Sequence, residues 1–277
     1  MRVPAVSVII PTYNRAAFLS EALASVLAQT MGDLEVLVVD DGSTDATREI
    51  VMSFDDPRVR YLFQKNLGVS AARNWGVASS RAPLIAFLDS DDVWQPTKLD
   101  VQAAYFTAHP EISICQTEEI WVRDGKRVNP CDKHAKQSGW IFRECIPLCI
   151  VSPSAVMLRR EAFYALGGFD ESLPACEDYD LWLRAALRYE IHTLPNPLIV
   201  KRGGHDDQLS KGWGLDRYRI LALQKILGDD RLLDEDRELV KADIARRAAI
   251  VADGARKREN EVLVHQYEAI VWAYLHH

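Results

Sequence analysis

Short apolar runs alternate with helical repeats along the first part of the chain. Val6 to Ile10 is an apolar-rich run stopped by Pro11, the pattern of a buried strand. Phe18, Leu19, Ala22, Leu23, Val26 and Leu27 then recur at helical spacing. Leu34 to Val39 predicts a second strand, ending in Asp40-Asp41-Gly42, and Ser43 or Thr44 can cap a helix reaching about Phe54. Val59 to Phe63 predicts a third strand, and Gly68 opens a helix carrying Ala71, Ala72, Trp75 and Val77. The fourth run, Leu84 to Leu88, ends abruptly in Asp89, Ser90, Asp91 and Asp92. Strands alternating with helices imply a mostly parallel sheet with helices on both faces.

The pattern changes after a helix from about Pro96 to His109. Ile112 to Thr117 and Ile120 to Val122 read as two strands, and Asp124-Gly125 as a turn. Residues 126–150 carry no clear period and are expected to form a loop shaping a substrate pocket. Ser154 to Leu158 predicts a strand, Arg160 to Leu166 a short helix ended by Gly167-Gly168, and Tyr179 to Tyr189 a second helix. Ile191 to Leu194 and Leu198 to Val200 read as short strands leading to Gly203-Gly204-His205. From Leu215 the chain is helical. This gives two parts: residues 1–214, an α/β domain, and residues 215–277, a helical C-terminal extension through which the chain could oligomerise.

In an open α/β sheet, ligands bind beyond the C-terminal ends of the strands. Pro11-Thr12-Tyr13, Asp40-Asp41 and Asp89 to Asp92 all follow strand ends, so they share one edge. Three crowded carboxylates repel one another unless a cation or hydrogen-bond donors compensate. They therefore suggest a divalent metal and a polyphosphate; the plain alternative is a solvated, capped loop. No Gly-x-Gly-x-x-Gly and no Gly-Lys-Ser/Thr follows a strand, which disfavours dinucleotide oxidoreductases and P-loop enzymes.

Composition narrows the class further. The 277 residues are 48% hydrophobic, enough for a substantial core, and the formal net charge of -7 argues against a nucleic-acid binder. There is no signal-peptide pattern and no apolar run long enough to span a bilayer. The five cysteines are odd in number and lack Cys-x-x-Cys spacing, which fits reduced thiols in a cytoplasmic protein rather than a zinc site. A late basic cluster, Arg246, Arg247, Arg256, Lys257 and Arg258, reads as a solvated helix face or as a peripheral contact with the inner membrane surface.

Taken in order, Pro11-Thr12-Tyr13-Asn14, Val39 to Asp45, Gly68 to Asn74, Leu88 to Asp92 and Glu177-Asp178-Tyr179-Asp180-Leu181-Trp182 resemble the motifs of family 2 glycosyltransferases. Each motif alone is weak; their order is specific. The resemblance covers roughly residues 5–210. It implies a GT-A fold, a divalent cation (Mn²⁺ or Mg²⁺), a nucleotide-diphospho-sugar donor and inversion at the anomeric carbon. The base of the donor would be uridine, the commonest in such sites, with guanosine and thymidine open. The acceptor would be a carbohydrate, a lipid-linked group or a protein.

The resemblance also implies roles. Pro11, Thr12 and Tyr13 would line the base, with Tyr13 stacking on it. Asp41 would accept from the base N–H, with Asp40 beside it. Arg73 would lie near the base or the diphosphate. Asp89 and Ser90 would face the ribose side, Asp91 would hold the metal and Asp92 would assist it. Asp178 would be the general base, and Glu177 would support it. His205 reads equally as a further metal or phosphate ligand and as a loop-structuring residue. A positioned Asp suits activation of an acceptor hydroxyl, and a metal suits a diphosphate leaving group. Two other functions fit parts of the pattern. One is a phosphotransferase with Asp89 as nucleophile; the other is a nucleotide-sugar-binding module without turnover. The first normally places its motif on the first strand, and Asp178 argues against the second.

Overall fold

The computed structural model describes residues 2–129, 131–204 and 214–275. Strands β1 (Val6–Thr12), β2 (Leu34–Asp40), β3 (Val59–Phe63) and β4 (Leu84–Phe87) form a parallel block in the order β3-β2-β1-β4. Side chains on each strand alternate between two buried layers, as a period of two requires. Ile9, Leu37, Val39, Ile85 and Phe87 face one layer; Val8, Ile10, Val36, Val38 and Ala86 face the other. Burial on both faces explains why β1, β2 and β4 read as near-continuous apolar runs.

Helix α1 (Ala16–Leu27) supplies Leu19, Leu23 and Val26 to the second layer, joined by Val51 of α2 (Thr47–Ser53). Helix α3 (Val69–Ser79) covers the first layer through Ala72 and Val77. Its approach is close: a Cβ on Gly76 would lie 2.5 Å from the Ile9 side chain. Pro11 does not stop β1, which runs on to Thr12 with Pro11 opposite Val39. Thr12 bonds towards β2, so Pro11 is turned to the β4 side, where pairing has ended at Ile9. The missing proline N–H is not needed there.

Beyond β4 the sheet continues through β5 (Val93–Trp94), β6 (Ile114–Arg123), β7 (Lys126–Val128), β8 (Met157–Arg159) and β9 (Ile191–Gly203). The order is β4-β8-β6-β9-β5, with β7 paired to β6. The β6–β9 pairing is parallel and long, while β8, β5 and β7 pair antiparallel. Most paired residues of the whole sheet are thus parallel. The two strands expected at 112–122 are one strand, and so are the two expected at 191–200. Register shifts on either side of Glu118, where first Pro195 and Asn196 and then Leu198 of β9 are skipped, interrupt the sequence pattern. Residues 126–150 also hold more order than expected: β7, a 3₁₀ turn at Asp132–His134 and the short α5 (Phe142–Cys145). Asp124 and Gly125 both have positive φ, which suits a tight hairpin between β6 and β7.

Helices α4 (Lys98–Ala108), α6 (Arg160–Ala165) and α7 (Glu177–Ala186) complete the α/β body. Helices α8 (Leu215–Ile226), α9 (Asp234–Arg256) and α10 (Glu261–Leu275) form the helical C-terminal region. Ile220, Leu223, Ile226, Val240, Ile244 and Ala248 belong to the same buried cluster as Trp182 and Phe87. Arg247, read in the sequence as part of a basic surface cluster, is instead 2% exposed. It bonds Asp243, Asp216 and the Pro147 carbonyl, tying α9 to α8 and to the segment after α5. Among the described residues no helix is long and apolar enough to cross a membrane.

Candidate active site

The strand ends of the parallel block come together as expected. Thr12 is buried and its hydroxyl has no hydrogen-bond partner among the described residues. Pro11 beside it is buried, whereas Tyr13 is 47% exposed, its ring open to a planar ligand. Asn14, at φ 51°, locks this turn to the next one: its N–H donates to Ser43 Oγ (2.8 Å), and its Oδ1 accepts from the Thr44 N–H (2.8 Å).

Asp40 and Asp41 divide their work. Asp40 is buried and accepts from the Ser43 N–H (2.8 Å) and the Tyr61 hydroxyl (2.6 Å). It faces the protein and shapes the loop; burial and this carboxylate together push the Tyr61 phenol upward. Asp41 accepts from Gln64 Nε2 (2.6 Å), the Leu67 N–H (2.8 Å) and the Gly68 N–H (2.9 Å). It thereby fixes the start of α3, where Gly68 takes a φ of 94°.

The loop after β4 is the centre of charge. The Asp89 N–H donates to Ser154 Oγ (3.1 Å), and Asp89 Oδ1 accepts from Arg73 Nη2 (2.7 Å). Ser90 is buried. Asp91 lies 3.6 Å from Arg15 Nη1. Asp92 is 3% exposed and accepts from the Arg202 N–H (2.9 Å). Burial, then the neighbouring Asp91 and Asp89, push its carboxyl up to about 8. A bound cation would relieve that repulsion, so the oxygen donors suit Mg²⁺ or Mn²⁺. Among the described residues no three His, Cys, Asp or Glu side chains converge into a closed metal cage. His205 lies outside the described residues.

Arg73 is 4% exposed, and both its terminal nitrogens are engaged. Nη2 holds Asp89, and Nη1 donates to Glu177 Oε1 at 2.6 Å. Its guanidinium also stands 5.0 Å from the centre of the Phe169 ring. It joins the β4 loop to the start of α7. Burial and the adjacent Asp178 raise the Glu177 carboxyl, with Arg73 opposing them. Asp178 itself is partly exposed. Its Oδ1 accepts from the Tyr179 N–H (2.7 Å), and the Cys149 thiol donates to Oδ2 with Sγ at 3.7 Å. Cys176, just before the helix, adopts a left-handed conformation (φ 61°) that turns the chain into α7. Asp180 points the other way, into Arg184 and Lys225, and Trp182 is core.

Several contributors were not legible in the sequence. Ser154 and Cys149 reach the site from the segment before β8, and Lys201 and Arg202 from β9. None sits in a recognisable motif, and only the pairing of distant strands brings them in.

The chain matches the family model described as "Glycosyl transferase family 2" over residues 7–167. It belongs to that family. A second model, "Glycosyltransferase like family 2", matches residues 133–218. An uncharacterized glycosyltransferase of Rickettsia felis is 35% identical over 207 residues, 74% of this chain and 32% of the relative. The match spans 31% to 65% of the length of the first five curated relatives. Among solved structures, residues 1–349 of S. aureus TarS with UDP-GlcNAc share the fold. The TM-score is 0.70 at 20% identity, covering 97% of this chain and 88% of that one. The mannosyltransferase PcManGT from Pyrobaculum calidifontis, with GDP-Man and Mn²⁺, gives a TM-score of 0.61 at 20% identity, covering 99% and 86%. The family 2 chain therefore has the GT-A fold expected from its motifs.

Proposed function

We propose that this glycosyltransferase moves a sugar from a nucleoside-diphospho-sugar, UDP-linked, to an acceptor hydroxyl, with inversion at the anomeric carbon. The observation that carries the reading is the Asp89–Arg73–Glu177 bridge. It holds the carboxylate loop and the residue preceding Asp178 on one guanidinium, so the donor side and the base side share a rigid reference. Tyr13 stacks on the base, Thr12 offers its unpartnered hydroxyl, Pro11 forms the floor, and Asp40 and Asp41 fix the loops around it. Asp89 and Ser90 face the ribose.

Asp91, with Asp92 assisting, would hold Mn²⁺ or Mg²⁺, which when bound neutralises charge on the diphosphate leaving group. Asp178 takes the proton of the acceptor hydroxyl as it attacks. Its partly exposed carboxylate, oriented by the Tyr179 N–H and the Cys149 thiol, suits that task. The uridine assignment draws on the UDP-GlcNAc held by TarS; PcManGT holds GDP-Man, so the base is a matter for direct test. We take residues 1–214 as the catalytic unit and 215–277 as an extension fused onto its core. The acceptor is a carbohydrate, a lipid-linked group or a protein, met at the cytoplasmic side.

A thermal-shift panel of nucleotide-sugars with Mn²⁺ tests this reading, because a ligand of the folded state raises the melting temperature according to its affinity. The expected result is a rise with one UDP-sugar, larger with Mn²⁺ than without. No rise with any nucleotide-sugar contradicts it.

A further inference from the structure

Lys201 of β9 stands in register with Trp121 of β6, and its ammonium is 5.6 Å from the centre of the Trp121 ring. Two residues along β6, Glu119 lies on the same face and accepts from the Trp121 indole N–H (2.9 Å). Lys136 closes this side at 3.2 Å from Glu119, with both side chains buried. Burial alone would raise the Glu119 carboxyl, but Lys136 and then Lys201 overcome it and bring it down to about 2. Glu119 is therefore a fixed anion that already has a close cation in Lys136.

The other side of Lys201 is the carboxylate loop. The next residue, Arg202, donates its backbone N–H to Asp92, and Val200 pairs with Val93. Lys201 is thus held beside the loop by backbone geometry. Asp92, Asp89 and the Cys149 thiol all act on it electrostatically, and Cys149 touches Asp178. Lys201 therefore adjoins the loop assigned to the donor, through the Arg202–Asp92 bond and the β9–β5 pairing on either side of it. Yet, among the described residues, its ammonium makes no hydrogen bond and no ion pair within 4.0 Å. Lys136, by contrast, bonds Gln116 Oε1 (2.9 Å) and the Ile150 carbonyl (3.2 Å). A half-buried ammonium carries three donors that need acceptors.

Resting on the function proposed above, we propose that Lys201 is a donor-binding residue whose ammonium takes oxygen atoms of the bound nucleotide-sugar. Those oxygens come from the diphosphate or from the transferred sugar of the donor proposed above. The flanking groups suit this role. The Trp121 ring holds the ammonium on this face, and Glu119, then Asp92 and Asp89, keep it charged.

The test is Lys201→Met, titrated calorimetrically with UDP and with UDP-GlcNAc in the presence of Mn²⁺. Loss of a charge-assisted hydrogen bond weakens binding by about ten- to hundredfold. Equal weakening for both ligands assigns the ammonium to the diphosphate; weakening for UDP-GlcNAc alone assigns it to the sugar. Unchanged affinity for both, or only tighter Mn²⁺ binding, overturns the proposal. Should the variant fail to fold, reductive methylation of the wild-type protein read by mass spectrometry gives the same decision. Protection of Lys201 by UDP-GlcNAc and Mn²⁺ is expected, and equal labelling with and without them overturns it. Wild-type protein that binds no nucleoside diphosphate of any base would instead overturn the proposed function.

Discussion

Arg73 donates to Glu177 over 2.6 Å, although 104 positions of sequence separate them. The same guanidinium holds Asp89, so one buried cation ties the loop after β4 to the start of the helix that presents Asp178. In the function proposed above, those two places lie on opposite sides of one sugar. Their separation is therefore set by a single side chain packed over Phe169.

Replacing Arg73 with Met should destabilise the fold by about 3–5 kcal/mol, because Glu177 would be left buried without its cation. Urea denaturation measures this. Arg73→Met combined with Glu177→Gln should recover part of the loss, since the uncompensated charge is then gone. A single-variant loss below about 1 kcal/mol would show that the bridge does not hold these elements together.

Asp178→Asn should leave nucleotide affinity unchanged and reduce sugar transfer by about 10²–10⁴-fold, the usual contribution of a general base. Nucleotide release followed chromatographically, alongside calorimetry with UDP and Mn²⁺, separates the two effects. Near-normal transfer would remove Asp178 from that role.

Lys98 yields a prediction independent of the active site. It is fully buried, donates to Gln102 Oε1 (2.6 Å) and lies 4.0 Å from the centre of the Trp94 ring. Burial brings its ammonium down from 10.5 to about 7. Between these values the unfolded chain binds a proton that the native state lacks, so stability rises with pH across that window. Below pH 7 both states are protonated and this contribution is flat. Lys98→Met should therefore flatten the wild-type slope between pH 7 and 10.5, by up to about 1.4 kcal/mol per pH unit. Denaturation midpoints across that range measure it; identical slopes would place the neutral form elsewhere.

Removing residues 215–277 should yield a protein that is insoluble or unfolded, because α8 and α9 share a buried cluster with Trp182 and Phe87. Soluble expression and circular dichroism check this. A folded, UDP-binding fragment would show instead that the first part stands alone.

How much was visible beforehand follows from which forces are local. The strand ends Thr12, Asp41 and Asp89 could be placed because two-sided burial writes continuous apolar runs, and polar groups mark where those runs stop. The helical C-terminal region was equally clear from its period. Its fusion to the core was not, because an apolar helix face does not say what it packs against. The β6–β9 pair was misread as four short strands since Glu118, Glu119, Pro195 and Asn196 interrupt both runs at one shared irregularity. The two carboxylates that close on Arg73 were not legible, because a helix position does not reveal partners brought in from the loop after β4 and from α7. Lys201 gave no signal at all: its meaning comes from β9 lying next to β6 and beside the 89–92 loop.

The most direct test of metal-assisted donor binding at this loop is calorimetry of UDP with wild-type protein and Asp91→Ala, each with and without Mn²⁺. Wild-type binding should tighten with Mn²⁺, and Asp91→Ala should lose that tightening while remaining folded. Equal Mn²⁺-dependent affinity in the two proteins would contradict it.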